Sequence, residues 1–218
     1  MNQHVLEADS MQLCFGDRRI LSDVFLRCRT GTVTGLLGRN GQGKSCLLQL
    51  IFGTRAGECS VRVDGTHLPQ AFRRPDLLRY LPQHHFIPAG FRVATVFGHY
   101  GLAPGPFLER FALGTDRLRA RLRDLSGGER RLVELYVISA APTQFVLLDE
   151  PFTHLGPLQV ELFKEWLPEL KREKGILLSD HLFRHVLDCS DELYVLKDGK
   201  THLAKSEEDI ERLGYARL

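Results

Sequence analysis

Residues 38–45 form a glycine-rich loop whose spacing suits phosphate binding. They read Gly-Arg-Asn-Gly-Gln-Gly-Lys-Ser, which matches G-x-x-x-x-G-K-[ST] at every fixed position. Glycines let backbone N–H groups come close to an anion, because no side chain stands in the way. We expect Lys44 to reach the β- and γ-phosphates and the Ser45 hydroxyl to ligate Mg²⁺. The residues expected to bind the phosphates are Gly38, Asn40, Gly41, Gly43, Lys44 and Ser45.

Two adjacent carboxylates end a continuous apolar run that begins at Phe145. Such a run is typical of a buried parallel strand whose tip enters a site. Asp149 is suited to holding Mg²⁺ directly or through water, and Glu150 is suited to polarising an attacking water. The alternative is an ordinary Asp-Glu turn after a strand, which the phosphate loop upstream makes the weaker explanation.

Two polar residues follow other predicted strands. Gln83 comes after a short strand that Pro82 ends, and His181 comes after the apolar run at 176–179. In an α/β sheet, ligands gather at the carboxyl ends of strands, so both side chains are expected near the phosphates. We expect His181 to donate to phosphate, while Gln83 could instead be a solvated loop residue.

A second glycine pair precedes an apolar-rich helix. Ser126 is placed as an N-cap with Glu129 three residues later, which is the pattern of a capping box. A capping box does not account for the successive glycines Gly127 and Gly128. A bare helix N-terminus at Ser126, Gly127 and Gly128 is a second place where backbone N–H groups could meet a phosphate.

Several other polar and aromatic residues leave alternatives open. Phe15, at the end of an alternating strand, is either a platform for an adenine ring or a core residue. The adjacent histidines His84 and His85 lack spaced partners, so a metal site there is not expected. The arginines at 117, 119, 121 and 123 form either a solvated basic surface or a docking surface for an acidic partner or lipid head groups.

Composition narrows the class of protein. The 218 residues carry 26% charged and 43% hydrophobic residues with a net charge of +2, which is ordinary for a soluble domain, and no nucleic-acid partner is expected. The five scattered cysteines fit reduced thiols, and no apolar run approaches the ~20 residues that cross a bilayer. If the protein serves a membrane process, we expect another chain to supply the span.

The elements that must position these residues alternate between strand and helix patterns, which predicts an α/β fold. The core sheet is expected to be mostly parallel, with a small antiparallel β subdomain before it and a short inserted helical lobe. Strands are predicted at 11–15, 24–29, 32–37, 59–65 with its turn, 79–83, 145–149 and 176–179, with a hairpin at 192–204. Helices are predicted at 45–52, 93–100, 106–113, 130–140 and 158–171, with a last short helix capped by Ser206.

Taken together, the motifs resemble the ATP-binding subunits of the ATP-binding cassette (ABC) transporter family, which have a P-loop NTPase fold. The resemblance covers nearly the whole chain and implies one domain over 1–218, with a core of 1–85 and 130–218 and a helical lobe of about 86–129. It implies ATP and Mg²⁺ as ligands. For the nucleotide, it implies that Phe15 stacks on adenine and that Gly38 to Ser45 form the Walker A loop. For hydrolysis, it implies that Asp149 holds Mg²⁺, that Gln83 senses Mg²⁺ and the attacking water, that Glu150 is the catalytic glutamate and that His181 is the switch histidine. Ser126, Gly127 and Gly128 belong to the signature that contacts the γ-phosphate of ATP on the opposite subunit.

The chain departs from the family pattern at one position. In Thr153-His154-Leu155-Gly156, Gly156 stands where the family usually has an aspartate. That loop links the two ATP sites of a dimer in the family, so weaker coupling between sites is expected. A fainter similarity is to the ATPases of lipopolysaccharide export and branched-chain amino acid uptake.

The resemblance implies an ATPase that dimerises around ATP and drives a separate transmembrane permease from the inner face of the cell membrane. The second hypothesis is a soluble ABC-type mechanical ATPase that acts on an assembly complex. A regulatory module without hydrolysis is disfavoured by Glu150. The transported molecule and the direction of transport do not follow from the sequence.

Overall fold

The protein's structure, a computed structural model, describes residues 3–215. Its strands are β1 Val5–Phe15, β2 Arg18–Arg29, β3 Val33–Leu37, β4 Glu58–Val63, β5 Thr66–His67, β6 Leu78–Leu81, β7 Phe145–Asp149, β8 Gly175–Ser179, β9 Glu192–Lys197 and β10 Lys200–Ala204. Its helices are α1 Lys44–Phe52, α2 Val93–His99, α3 Gly105–Arg110, α4 Gly127–Ala140, α5 Pro157–Glu173, α6 Phe183–Cys189 and α7 Glu207–Arg212. None of the helices in this part of the chain is long and apolar enough to cross a membrane.

A six-stranded sheet in the order β10-β9-β3-β8-β7-β6 forms the core. Every pairing in it is parallel except that of β10 with β9. All residues of β3, β7 and β8 are buried, because other elements of the chain cover both faces of these central strands. The predicted mostly parallel α/β core is confirmed. The carboxyl ends of β3, β6, β7 and β8 lie at one edge, which brings the predicted motifs together.

A second sheet, in the order β2-β1-β4-β5, is antiparallel throughout. This confirms the predicted antiparallel β subdomain, although β1 begins at Val5 rather than near Met11. The pairing of β1 with β2 shifts between Ala8 and Met11, where Ser10 has a φ of 52°. This irregularity interrupts the alternation of buried and exposed residues. The sequence pattern therefore indicates only the second half of the strand.

The core has two layers, one on each face of the parallel sheet. One layer packs α1 and the antiparallel sheet against the β strands. The other contains α2 to α6 and an aromatic group in which the rings of Tyr136 and Trp166 stack at 4.9 Å. Phe107 of α3 packs against Tyr136 at 5.1 Å. The short helices between residues 93 and 110 are therefore attached to α4 through aromatic contacts.

The ends of the elements follow local sequence cues. The predicted hairpin is confirmed: β9 and β10 pair antiparallel across a turn in which Asp198 and Gly199 both have positive φ. The Ser206 Oγ accepts a hydrogen bond from the Asp209 N–H at 3.3 Å, which confirms the predicted cap of the last helix. The predicted helix at 106–113 is shorter, because α3 ends at Arg110. The alternating arginines lie around two short 3₁₀ turns, at Thr115–Leu118 and Leu122–Asp124.

Candidate functional site

A cleft of about 650 Å³ opens at the carboxyl edge of the parallel sheet. It brings together residues from the phosphate loop, β1, β2 and the ends of β6, β7 and β8. Its lining is Phe15, Arg18, Ile20, Asn40, Gly41, Gly43, Lys44, Ser45, Cys46, Gln83, Glu150, Thr153 and His181. Nine of the residues predicted from the sequence line this cleft.

The phosphate loop connects β3 to α1. Gly41 and Gly43 have φ values of 80° and 102°, which side-chain-bearing residues rarely adopt. A Cβ on Gly43 would also lie 2.8 Å from Ile20 Cγ2. Both the φ value and the lack of space therefore favour glycine at this position. Burial lowers the pKa of Lys44, and the carboxylates Glu150, Asp149 and Asp180 partly offset the decrease.

Lys44 Nζ donates to the Gly38 carbonyl at 2.7 Å in this structure. Gly38 itself is not part of the cleft lining. Its contribution is a carbonyl that holds the ammonium within the loop. The N-terminus of α1 begins at Lys44 without a side-chain cap, so its first N–H groups remain available to an anion.

Asp149 ends β7 and is fully buried. Its Oδ1 accepts hydrogen bonds from Ser45 Oγ at 3.1 Å and Ser179 Oγ at 3.0 Å, and its Oδ2 accepts from Tyr80 Oη at 3.0 Å. Burial raises the pKa of Asp149, and these three hydrogen bonds act in the opposite direction. The structure therefore brings the predicted magnesium ligands Ser45 and Asp149 into direct contact.

Glu150 points into the cleft and is surrounded by three donors. Its Oε2 accepts from Gln83 Nε2 at 2.9 Å and from Thr153 Oγ1 at 3.2 Å, and lies 3.3 Å from His181 Nδ1. Gln83 is thus bonded within the cleft rather than solvated in a loop. The Glu150 backbone has a φ of 48°, an unusual value that turns the carboxylate away from the strand direction. The three predicted catalytic residues, Gln83, Glu150 and His181, therefore meet at one oxygen.

Arg131 was missed by sequence reasoning. Its guanidinium is fully buried in α4 and donates to the carbonyls of Asp149 at 3.0 Å, Glu150 at 2.9 Å and Pro82 at 2.8 Å. Burial lowers the pKa of Arg131, and nearby carboxylates offset part of the effect. This residue fixes the backbone that carries the two acids. In sequence it is the second of two arginines before an apolar helix, and only its place on the apolar face of that helix could have indicated burial.

Phe15 lies at the mouth of the cleft. Met11 and Leu13 of the same strand are 0% and 5% exposed, whereas Phe15 is 50% exposed. The alternative that Phe15 belongs to the core is therefore wrong. The guanidinium carbon of Arg55 lies 5.4 Å from the centre of the Phe15 ring, at cation–π distance.

Ser126, Gly127 and Gly128 do not line the cleft. The capping box is present: Ser126 Oγ accepts from the Glu129 N–H at 3.2 Å, and Glu129 Oε2 accepts from the Ser126 N–H at 2.9 Å. A Cβ on Gly128 would lie 2.7 Å from Gln159 Oε1 and 3.0 Å from the His154 carbonyl oxygen. Packing within this chain thus gives a reason for Gly128. Nothing lies within 4 Å of the equivalent position on Gly127.

Gly156 precedes α5 in the loop after the acidic pair. Its φ of −74° is ordinary for any residue, and a Cβ there would come no closer than 3.9 Å to Gln159 Oε1. The Gln159 side chain accepts a hydrogen bond from the Gly156 N–H at 3.0 Å. The backbone therefore has room for the aspartate that the family pattern places at this position.

The histidines at 84 and 85 and the arginines at 117, 119, 121 and 123 do not line the cleft. His85 Nδ1 lies 2.8 Å from the buried Glu134 Oε2, and its ring stacks on that of His154 at 5.7 Å. Arg117 pairs with Glu129 at 3.0 Å, and Arg121 donates to the Gly90 carbonyl. In residues 3–215 no group of three or more histidine, cysteine or acidic side chains is arranged to hold a metal.

Comparisons with known proteins agree with this geometry. A family model described as ABC transporter matches residues 21–153. The chain is 31% identical to the lipopolysaccharide export system ATP-binding protein LptB of Haemophilus influenzae, over 94% of this chain and 92% of that protein. It is 34% identical to the LptB protein of Acidithiobacillus ferridurans over the same shares of both chains. A solved ATP-binding subunit of an ABC transporter superposes with a TM-score of 0.82 at 23% identity, over 97% of this chain and 94% of that one, which shows the shared fold.

Proposed function

This chain belongs to the ABC transporter family as an ATP-binding subunit, and we propose that it hydrolyses Mg-ATP to drive a separate transmembrane subunit. The observation that carries the proposal is the contact of Gln83, Thr153 and His181 with one carboxylate oxygen of Glu150, beside the phosphate loop. A binding module without hydrolysis would not need a carboxylate held in this way at the cleft.

The residues present fit Mg²⁺. Ser45 Oγ and Asp149 Oδ1 are oxygen ligands 3.1 Å apart, and Gln83, whose Nε2 is bonded to Glu150, lines the same cleft. Hard oxygen donors of this kind are those that Mg²⁺ prefers. When bound there, Mg²⁺ would neutralise charge on the β- and γ-phosphate oxygens.

The side chains divide the remaining work. We assign Phe15 to stacking on the adenine and the loop residues Gly38 to Ser45 to the phosphates, with Lys44 exchanging the Gly38 carbonyl for a phosphate oxygen. Glu150 accepts a proton from the attacking water, because its carboxylate faces the cleft. We assign His181, whose side chain is 40% exposed, to donation of a hydrogen bond to the γ-phosphate.

We propose that a second chain completes the site. Ser126, Gly127 and Gly128 lie outside the cleft, so their N–H groups can meet a γ-phosphate only across an interface. Two copies related by a two-fold axis would give two such composite sites. We further propose a single ATPase domain over 1–218, with the helical lobe at about 86–129. A permease would hold the dimer at the inner face of the cell membrane.

The soluble mechanical ATPase acting on an assembly complex is the less favoured alternative. The relatives at 31% and 34% identity are named as ATP-binding proteins of an export system. Those names describe what the relatives export, and we assign no transported molecule to this chain.

The test is trapping of the dimer. Glu150→Gln keeps the size and hydrogen bonding of the side chain but removes the base. We expect the Glu150→Gln protein to elute as a dimer with Mg-ATP, to be monomeric with ADP, and to have lost phosphate release. Addition of Ser126→Arg should prevent dimerisation while ATP still binds. A Glu150→Gln protein that binds ATP fully yet stays monomeric at high concentration would refute the homodimer and indicate a different second subunit.

A further inference from the structure

The turn that follows α7, residues 213–215, lies against the nucleotide site without lining its cleft. Its three backbone N–H groups donate to carbonyls of α7. Ile210 of α7 is 1% exposed and anchors that helix to the main core. The turn is therefore fixed to the body of the protein.

The turn contacts the start of the phosphate loop. Arg39 Nη2 donates to the Gly214 carbonyl at 2.8 Å. Burial raises the pKa of the Tyr215 phenol, and the nearby Gly38 backbone acts in the opposite direction. The carbonyl of the same Gly38 holds Lys44 Nζ. The peptide units that hold the lysine are thus also held by the turn.

The same turn contacts the segment that carries His181. The ring of Tyr215 meets that of Phe183 edge-on, with centroids 6.5 Å apart. Phe183 is two residues after His181, and its N–H donates to the His181 carbonyl at 3.0 Å. The turn therefore touches the loop after β3 through Gly214 and the loop after β8 through Tyr215.

These two loops need such a link. The pairing of β3 with β8 ends at Leu36 and Ser179, so the sheet ladder does not reach the loops beyond. If the proposed function holds, the phosphates of ATP and the attacking water lie between these two loops. A fixed separation between them is then a requirement of catalysis.

We propose that Gly214 and Tyr215 are positioning residues that hold the phosphate loop and the His181 loop at a fixed separation. This inference rests on the proposed function for its consequence in catalysis. The hydrogen bond from Arg39 to Gly214, with the Tyr215 hydroxyl beside Gly38, sets the phosphate loop and therefore ATP affinity. The ring contact with Phe183 sets the His181 loop and therefore turnover.

The two contacts are separated by two substitutions. Tyr215→Phe keeps the ring and removes the hydroxyl, so we expect the dissociation constant for ATP to rise about fivefold with kcat near wild type. Tyr215→Ala removes both contacts and should raise the dissociation constant similarly and lower kcat as well. Arg39→Gln combined with Tyr215→Ala should give less than the sum of the two single effects on affinity, since both act through the same turn. Arg212→Ala is the matched control, because that side chain is 81% exposed and pairs only within α7.

Hydrogen exchange on the protein without nucleotide tests the link independently of ATP. Tyr215→Ala should speed exchange at residues 38–45 and 180–183, and Arg212→Ala should not. Unchanged exchange in both loops, or a lower melting temperature with unchanged ATP affinity and kcat, would overturn the proposal. If the wild-type protein neither binds nor hydrolyses ATP, the proposed function fails, while the exchange measurement still decides the positioning role.

Discussion

Replacement of Arg131 tests how the acidic pair is held. The guanidinium donates to three carbonyls, and the bonds to Asp149 and Glu150 are buried. Arg131→Met keeps much of the volume but removes both bonds. The Glu150 carbonyl still accepts from the Thr153 N–H at 3.2 Å, so the main cost is the lost bond to the Asp149 carbonyl, about 1–3 kcal/mol. The variant no longer buries a charge, which offsets part of this cost, since apolar replacements of buried charges are often close to neutral. We expect a net loss of about 2 kcal/mol, a substantial share of the roughly 5–15 kcal/mol of a typical domain.

The measurement is urea unfolding, with the midpoint and slope compared between variants. Arg131→Lys keeps a charge but cannot span three acceptors, so its loss should be intermediate. Arg130→Met is the control on the neighbouring position, where a carbonyl bond to Ile87 and an ion pair with Glu134 are lost but no bond to the acidic pair. It should lose about 1–2 kcal/mol with no specific fall in kcat. In conditions where Arg131→Met remains folded, kcat should fall more than ATP affinity, because the Glu150 backbone loses its support. A loss below about 1 kcal/mol with normal kcat would show that the reasoning from buried carbonyls is wrong.

Three further predictions concern the cleft and its surroundings. Phe15→Ala should weaken ATP binding about five- to tenfold with little change in melting temperature, since the ring is 50% exposed; a large drop in melting temperature with unaltered affinity would contradict the stacking role. Gly156→Asp should fold normally, because its φ and its surroundings accept a side chain, and it should raise the cooperativity of hydrolysis in ATP; a wild-type Hill coefficient near the number of sites would count against the loosened coupling. Gly128→Ala should destabilise the protein by about 1–2 kcal/mol, because the new Cβ would contact the His154 carbonyl. Adding Gln159→Ala to the Gly128→Ala protein should restore only the part of the stability that was lost through contact with the Gln159 side chain. Equal stability of Gly128→Ala and wild type in urea would mean that packing does not explain this glycine.

The sequence by itself determined the order of the elements and the residues of the phosphate loop and acidic pair. Buried parallel strands such as β7 and β8 are continuous apolar runs, and a glycine-rich loop between a strand and a helix has few other uses. Because parallel strands end at one edge, Gln83, Glu150 and His181 could be expected together before any coordinates were known.

Only the tertiary structure decided what depends on contacts between distant segments. Whether Phe15 faced the core or the cleft was open, since alternation along a strand does not say where the strand leaves the sheet. The burial of Arg131 depends on two loops that α4 meets only in the folded chain, and the reason for Gly128 lies in the His154 carbonyl. The contact of Arg39 with Gly214 joins residues that are far apart in sequence, and Gly214 belongs to no motif. Local patterns record propensity and period, whereas such contacts are fixed by how the layers pack.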